Sequence, residues 1–216
     1  ELGWEFIQIY GRTETAPLLT MNRNRSEWDD DTPAERAARL SRAGAPALGV
    51  TLDTAPDGEL LARSNHVLKS YWAQPEATAD ALANDWFHTG DGATIADDNF
   101  ATITDRKKDV IISGGENVSS IEVEDALFQH PELTEVAVIG IPDEKWGELV
   151  TALVVTTPES NVTEAEVIAF CKERLAGYKC PKKIEFRDEL ARTATGKLQK
   201  FKLREPFWQG TTRQIN

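Results

Sequence analysis

Apolar residues follow two regimes along the chain. Up to about residue 108 they fall in short runs broken by Gly, Pro and acidic clusters; beyond it the pattern is cleaner. In the first stretch, "EFIQIYG" predicts a strand followed by a turn. "SEWDDDTPAERAARLSRAG" is acidic, then helical, and ends at Gly44. Residues 48–72 alternate around "PDGE", which predicts two strands joined by a turn. "QPEATADALANDWFHTGD" predicts a short helix leading into a Gly-Asp turn, and "NFATITDRKKDVIISGG" two strands separated by a charged break.

In the second stretch, Ser119-x-x-Glu122 is a capping box with Val123, Ala126 and Leu127 at helical spacing, stopped by Pro131. "EVAVIGI" and "LVTALVV" are strands rich in β-branched residues. Thr163-x-x-Glu166 opens a second helix, with Ile168, Cys171 and Leu175 on one face and Gly177 at its end. "KKIEF" is a last strand. The expected fold is α+β: an incomplete β-rich subdomain, then a small sheet with two helices near 119–130 and 163–176. The expected boundary lies in "DRKKD", separating residues 1–107 from 108–216.

Composition narrows the function. The 216 residues are 40% hydrophobic, enough for packed cores. Net charge is −12, yet Lys172–Arg204 carries +7, leaving −19 on the remainder. That balance fits general nucleic-acid binding poorly and points the basic tract toward a small polyanion, or toward a plain solvated face. Cys171 and Cys180 have no CxxC or His-rich context, so reduced thiols are expected. No apolar run is long enough to span a membrane, and a cytoplasmic location is expected.

Three segments carry candidate chemistry. "YGRTET" (10–15) puts a ring, a hydroxyl and a carboxylate on a Gly turn; "WFHTGD" (86–91) ends in an acid beside a Gly; "DRKKDVIISGGEN" (105–117) joins a charge cluster to a double glycine. Alone, the first two read better as ordinary turns, and the third reads equally as a tight turn before the helix at Ser119. Their order is specific. "YGRTE", "DGEL", "HTGD", "DRKKD", "SGGENVSSIEVED", "YKCPKKIEF" and "RTATGKLQKFKLRE" resemble, in order and spacing, the C-terminal part of the adenylate-forming acyl-CoA synthetases, the AMP-dependent synthetases and ligases.

The resemblance implies the activation of a carboxylic acid by ATP to acyl-AMP, then transfer to coenzyme A. It places Tyr10 beside adenine, Thr13 near the α-phosphate, Glu14 on Mg²⁺, and Asp91 and Arg106 on the ribose. Lys197 becomes the adenylation lysine and Lys108 the pivot about which the C-terminal domain rotates between half-reactions. Gly114, Gly115 and Glu116 would line the pantetheine channel, and Lys172 would meet a coenzyme A phosphate. A fatty acid is the expected acid. The alternatives are a ligase that delivers acyl groups to a carrier protein, and a non-catalytic binding module.

Two departures stand out. Arg12 occupies a position that the family usually fills with an apolar residue, and Ala191 replaces a proline, loosening the lysine loop. The family's phosphate loop lies upstream of "YGxTE". The chain is therefore expected to be the end of a larger enzyme, inactive alone and prone to self-association through Phe6, Ile7 and Ile9.

Overall fold

The computed structural model describes residues 4–210. Its contacts divide the chain between Lys107 and Lys108 into two units.

The first unit holds seven strands: β1 (Ile7–Tyr10), β2 (Thr20–Arg23), β3 (Ala45–Pro46), β4 (Thr51–Thr54), β5 (Glu59–Arg63), β6 (Phe87–Ile95) and β7 (Ala101–Arg106). Strands β1-β2-β3 form one antiparallel sheet and β4-β5-β6-β7 another. Two helices, α1 (Pro33–Leu40) and α2 (Pro75–Ala81), interrupt the strands. Helix α1 starts because Thr32 and Glu35 form a capping box with Pro33 at the first position. Leu19, Ala62 and Phe87 form a small core, with Tyr10 packed against it. Pairing of Ile7 with Arg23 and Ile9 with Met21 puts Ile7, Ile9 and Met21 on one exposed face of the first sheet.

The second unit begins with the hairpin β8 (Ile111–Ser113) and β9 (Glu116–Val118), then α3 (Ser120–Leu127). Two long antiparallel strands follow, β10 (Leu133–Asp143) and β11 (Gly147–Thr156), then α4 (Glu164–Lys172), β12 (Lys183–Phe186) and α5 (Lys200–Arg204). Strand β12 lies parallel to β11, and β8 joins β11 at Gly147. The caps predicted at Ser119 and Thr163 are present, each accepting a backbone N–H three residues on. Both helices are shorter than the expected spans, because the chain passes into looser turns after Leu127 and Lys172.

The two-helix expectation for this unit needs an addition. The continuous apolar runs of β10 and β11 are buried on both faces. Val136, Val138, Val150 and Val154 pack with Val123, Leu127, Val167 and Cys171 from α3 and α4. Ala137, Ile139 and Leu153 face the other way, covered by Leu190, Leu198, Leu203 and Phe207. The C-terminal tract that carries the basic residues thus also covers the second face of the sheet.

Candidate functional site

The first cluster is built in the first unit from two turns. Gly11 leaves β1 where a Cβ would lie 1.6 Å from the Pro17 carbonyl oxygen, so only glycine fits. One 3-10 turn follows over Thr13–Thr15, fixed by Thr15, whose buried hydroxyl accepts from the Arg12 amide at 2.9 Å. This leaves Thr13 exposed and turns Glu14 toward Tyr71, whose hydroxyl donates to it at 2.9 Å. Burial opposes ionisation of Glu14, but a backbone amide, Tyr71 and the Arg12 guanidinium outweigh it and hold the carboxyl below its ordinary range.

The second turn lies in β6. Antiparallel pairing sets Asp91 opposite Arg106 of β7. Asp91 is 6% exposed; its Oδ2 accepts from the Tyr10 hydroxyl at 2.7 Å and lies 3.6 Å from Arg12 Nη1. Its Oδ1 is 3.6 Å from Arg106 Nε and, though buried, accepts no hydrogen bond. Burial, then the Asp91 charge and hydrogen bond, push the Tyr10 phenol well above its ordinary value, so it stays a donor. Tyr10, Glu14, Asp91 and Arg106, chosen from sequence, therefore converge, with Thr13 at the rim. Buried acceptors are normally satisfied, so Asp91 Oδ1 is suited to a ligand hydroxyl. Glu14 offers a single carboxylate, and no group of three or more metal-binding side chains exists among the described residues.

Arg12 is at the centre of this cluster. Its guanidinium donates to the Thr89 carbonyl and lies 3.7 Å from Glu14 and 3.6 Å from Asp91. No residue adjacent to Arg12 in sequence points to these partners. Glu59, in "DGEL", likewise takes its role from residues distant in sequence. Glu59 is 5% exposed and accepts from Gly90 N at 2.7 Å, His88 Nδ1 at 3.1 Å and Lys107 Nζ at 3.1 Å. It fixes the turn before Asp91 and the strand end after Arg106. Tyr71 carried no local signal at all.

The remaining candidates lie in the second unit. Gly114 and Gly115 form the two-residue turn between β8 and β9, at φ +64° and +85°, with Glu116 exposed at its end. A Cβ on Gly114 would stand 2.8 Å from the Trp146 ring. Lys172 is exposed at the last position of α4. Lys108 follows the end of β7, and its carbonyl accepts from Arg204 at 3.0 Å.

Lys197 sits on a tight hairpin. Thr193 N donates to the Lys197 carbonyl at 2.7 Å, Lys197 N to Thr193 Oγ1 at 3.0 Å, and Gln199 N to the Ala191 carbonyl at 2.8 Å. Gly196 provides the left-handed residue at φ +83°. Arg192 reaches the Gly196 carbonyl at 2.8 Å and Glu135 at 2.6 Å. The loosening expected from Ala191 is thus offset by Arg192. The ammonium of Lys197 is exposed. Much of the basic tract around it is spent internally: Lys179 on Glu122, Lys183 and Arg187 on Glu185, Arg192 on Glu135, Lys200 on Glu124 and Arg204 on Asp109. The broad anion-attracting face read from the charge count is therefore reduced to a few cations, Lys197 among them.

Comparison with known proteins gives a consistent answer. Residues 122–197 match the AMP-binding enzyme C-terminal domain. A feruloyl-CoA synthase of Amycolatopsis is 40% identical over 95% of this chain and 42% of its own length. The long-chain-fatty-acid–CoA ligase FadD13 of Mycobacterium tuberculosis is 48% identical over 94% of this chain and 40% of its own. Among solved structures, ATP-bound MatB from Rhodopseudomonas palustris superposes with a TM-score of 0.82 at 34% identity, over 94% of this chain and 41% of that one. An o-succinylbenzoate CoA synthetase from Bacillus subtilis, in complex with its acyl-adenylate, gives 0.80 at 33% identity, over 93% and 41%. The chain thus spans about two fifths of the length of the relatives it matches.

Proposed function

Since the chain belongs to the AMP-dependent acyl-CoA synthetases, we propose that it serves as the C-terminal portion of an acid–thiol ligase that makes acyl-AMP from a carboxylic acid and ATP and then passes the acyl group to coenzyme A. The observation that carries this reading is Asp91. Its buried Oδ1, set beside Arg106 and next to the Tyr10 phenol, is an acceptor suited to the ribose hydroxyls of AMP.

Around it, Tyr10 borders the adenine, Thr13 donates to the α-phosphate, and Glu14 supplies one carboxylate to Mg²⁺, which neutralises phosphate charge when bound. Arg106 pairs with the ribose from the far side. Lys197 acts in adenylation. Carboxylate attack on phosphate brings two anions together, and a pre-aimed ammonium stabilises the charge that develops. The hairpin of Thr193–Lys197 supplies that aim. Lys108 is the pivot for transfer to coenzyme A, in which Gly114, Gly115 and Glu116 line the pantetheine path and Lys172 meets a phosphate. A fatty acid is the acid we favour, on the 48% identity with the mycobacterial long-chain ligase. Alone, the 216-residue chain is inactive and self-associates through the Ile7, Ile9 and Met21 face.

The test is a chimera in which this chain replaces the matching C-terminal part of the mycobacterial relative. Fatty-acid-dependent ATP–pyrophosphate exchange is expected, and Lys197→Ala should lower it by about 10²–10³ or more. Transfer from supplied acyl-AMP to coenzyme A should survive Lys197→Ala and fail in Lys108→Pro, whose fixed φ blocks rotation. Equal loss of both half-reactions in Lys197→Ala overturns the lysine's role. Exchange with aromatic and not aliphatic acids overturns the fatty-acid choice. Light scattering on the 216-residue chain checks self-association.

A further inference from the structure

Arg12 leaves most of its hydrogen-bonding capacity unspent. Its guanidinium crosses the Gly90 turn: Nη1 donates to the Thr89 carbonyl and lies 3.6 Å from where a Cβ on Gly90 would stand. A guanidinium has several N–H donors arranged as a planar fork. Among the described residues, the Thr89 carbonyl is the one acceptor within hydrogen-bond distance of this one. Glu14 Oε2 at 3.7 Å and Asp91 Oδ2 at 3.6 Å attract it as charges but lie beyond hydrogen-bond length. Neither acid depends on Arg12 for a donor, since Glu14 Oε1 accepts from Tyr71 and Asp91 Oδ2 from Tyr10. The Arg12 side chain is 32% exposed, which leaves part of the fork open to solvent.

The charge balance agrees. Glu14 and Asp91 are offset by Arg12 and Arg106, so the cluster is neutral. Without Arg12 it would be net negative and would repel an anion. Beside the unspent donors stands an unspent acceptor, the buried Asp91 Oδ1. A ligand that satisfies both carries an oxyanion and a hydroxyl on one small framework. A sugar phosphate does so, whereas a simple carboxylic acid lacks the hydroxyl. We propose that Arg12 is a binding residue for the phosphate of a nucleotide whose ribose hydroxyl Asp91 holds, through a charge-assisted contact of the guanidinium fork. The proposal rests on the ligase reading for the nucleotide and adds a phosphate contact that an apolar residue at this position cannot make. The chain therefore prefers AMP to adenosine through its own side chain, with no metal required for the preference.

The test is saturation-transfer NMR on the 216-residue chain with AMP and with adenosine, in the presence of EDTA. The method observes the ligand, so it reads weak binding and tolerates self-association. The wild-type chain should bind AMP more tightly than adenosine by about tenfold or more. Arg12→Gln removes the charge and keeps a donor for the Thr89 carbonyl. It should erase most of that preference and leave adenosine affinity within about twofold. Butyrate should not displace AMP. Equal loss of AMP and adenosine in Arg12→Gln would make Arg12 a prop for Asp91 and overturn the phosphate contact. So would an unchanged preference, AMP and adenosine binding alike in the wild type, no AMP binding at all, or displacement by butyrate. Should Arg12→Gln unfold the first unit, Arg12→Lys keeps the charge and loses the planar fork; the preference for AMP should fall, and an unchanged ratio overturns the proposal. Failure of the chimera to form acyl-AMP would overturn the ligase reading and leave an AMP preference measured on this chain standing.

Discussion

At the scale of single residues, two groups have environments that set their chemistry. Arg12 lowers the Glu14 carboxyl pKa and touches Asp91 at the same time. Replacing it with Met removes a nearby positive charge, so the Glu14 pKa should rise toward its ordinary value; a carbon-detected NMR titration of Glu14 reads this directly. No change would mean that Tyr71 and the backbone amide alone hold it. Cys171 is fully buried in the second unit, and burial, reinforced by Cys180, pushes its thiol up to about 11. Thiolate is the reactive form, so near pH 8 iodoacetamide should leave Cys171 unmodified in the folded chain and label it after denaturation. Rapid labelling of the folded chain would contradict the packing around α4.

At the scale of elements, α4 starts, like α1, on a full capping box. Thr163 and Glu166 satisfy each other's backbone donors, with Thr163 N and Oγ1 donating to Glu166 Oε2 at 2.8 and 2.7 Å. Thr163→Ala should cost about 1 kcal/mol of second-unit stability in urea unfolding, because it removes the cap and strands its partner. The β8–β9 turn is stricter still. Gly114→Ala meets a left-handed φ and the Trp146 ring together, and should destabilise by about 1 kcal/mol or more. An unchanged midpoint would show that Trp146 yields at little cost.

At the scale of the whole molecule, each unit has its own core, and unfolding of the chain should depart from a single two-state transition. Leu153→Ala, which empties part of the second unit's core, should lower only that unit's transition, by about 2–5 kcal/mol. The first unit carries the pH dependence of the Asp57–Glu59–Lys107 cluster. Burial opposes ionisation of Glu59, but His88, Gly90 N and Lys107 win, lowering its pKa from 4.5. A lowered acid stabilises above its unfolded value and loses that contribution as pH falls through its folded one. Lys107 is raised from 10.5, chiefly by Asp57, so its share is complete below that value and is lost as pH rises through the folded one. The stability gap between wild type and Glu59→Gln should therefore be full near neutrality and close in acid. Melting of the first unit against pH checks it; a gap that widens in acid would reverse the sign.

The features legible in the linear pattern are local: the N-cap at Ser119, the capping box at Thr163, the β-branched runs of β10 and β11, the glycine turns, and the ordered motifs that contain Tyr10, Asp91, Arg106 and Lys197. Those features depend on neighbours within a few positions, so a linear pattern suffices to read them. The tertiary structure decided which charges meet. Nothing near Arg12 in sequence announces Asp91, nothing near Glu59 announces Lys107, and the acids that absorb Arg192, Lys200 and Arg204 lie far upstream. It also decided that the C-terminal tract covers the second face of a sheet whose first face the two helices already fill. A charge count sums residues wherever they lie, whereas Coulomb energy and burial depend on separation in space, which only the folded chain defines.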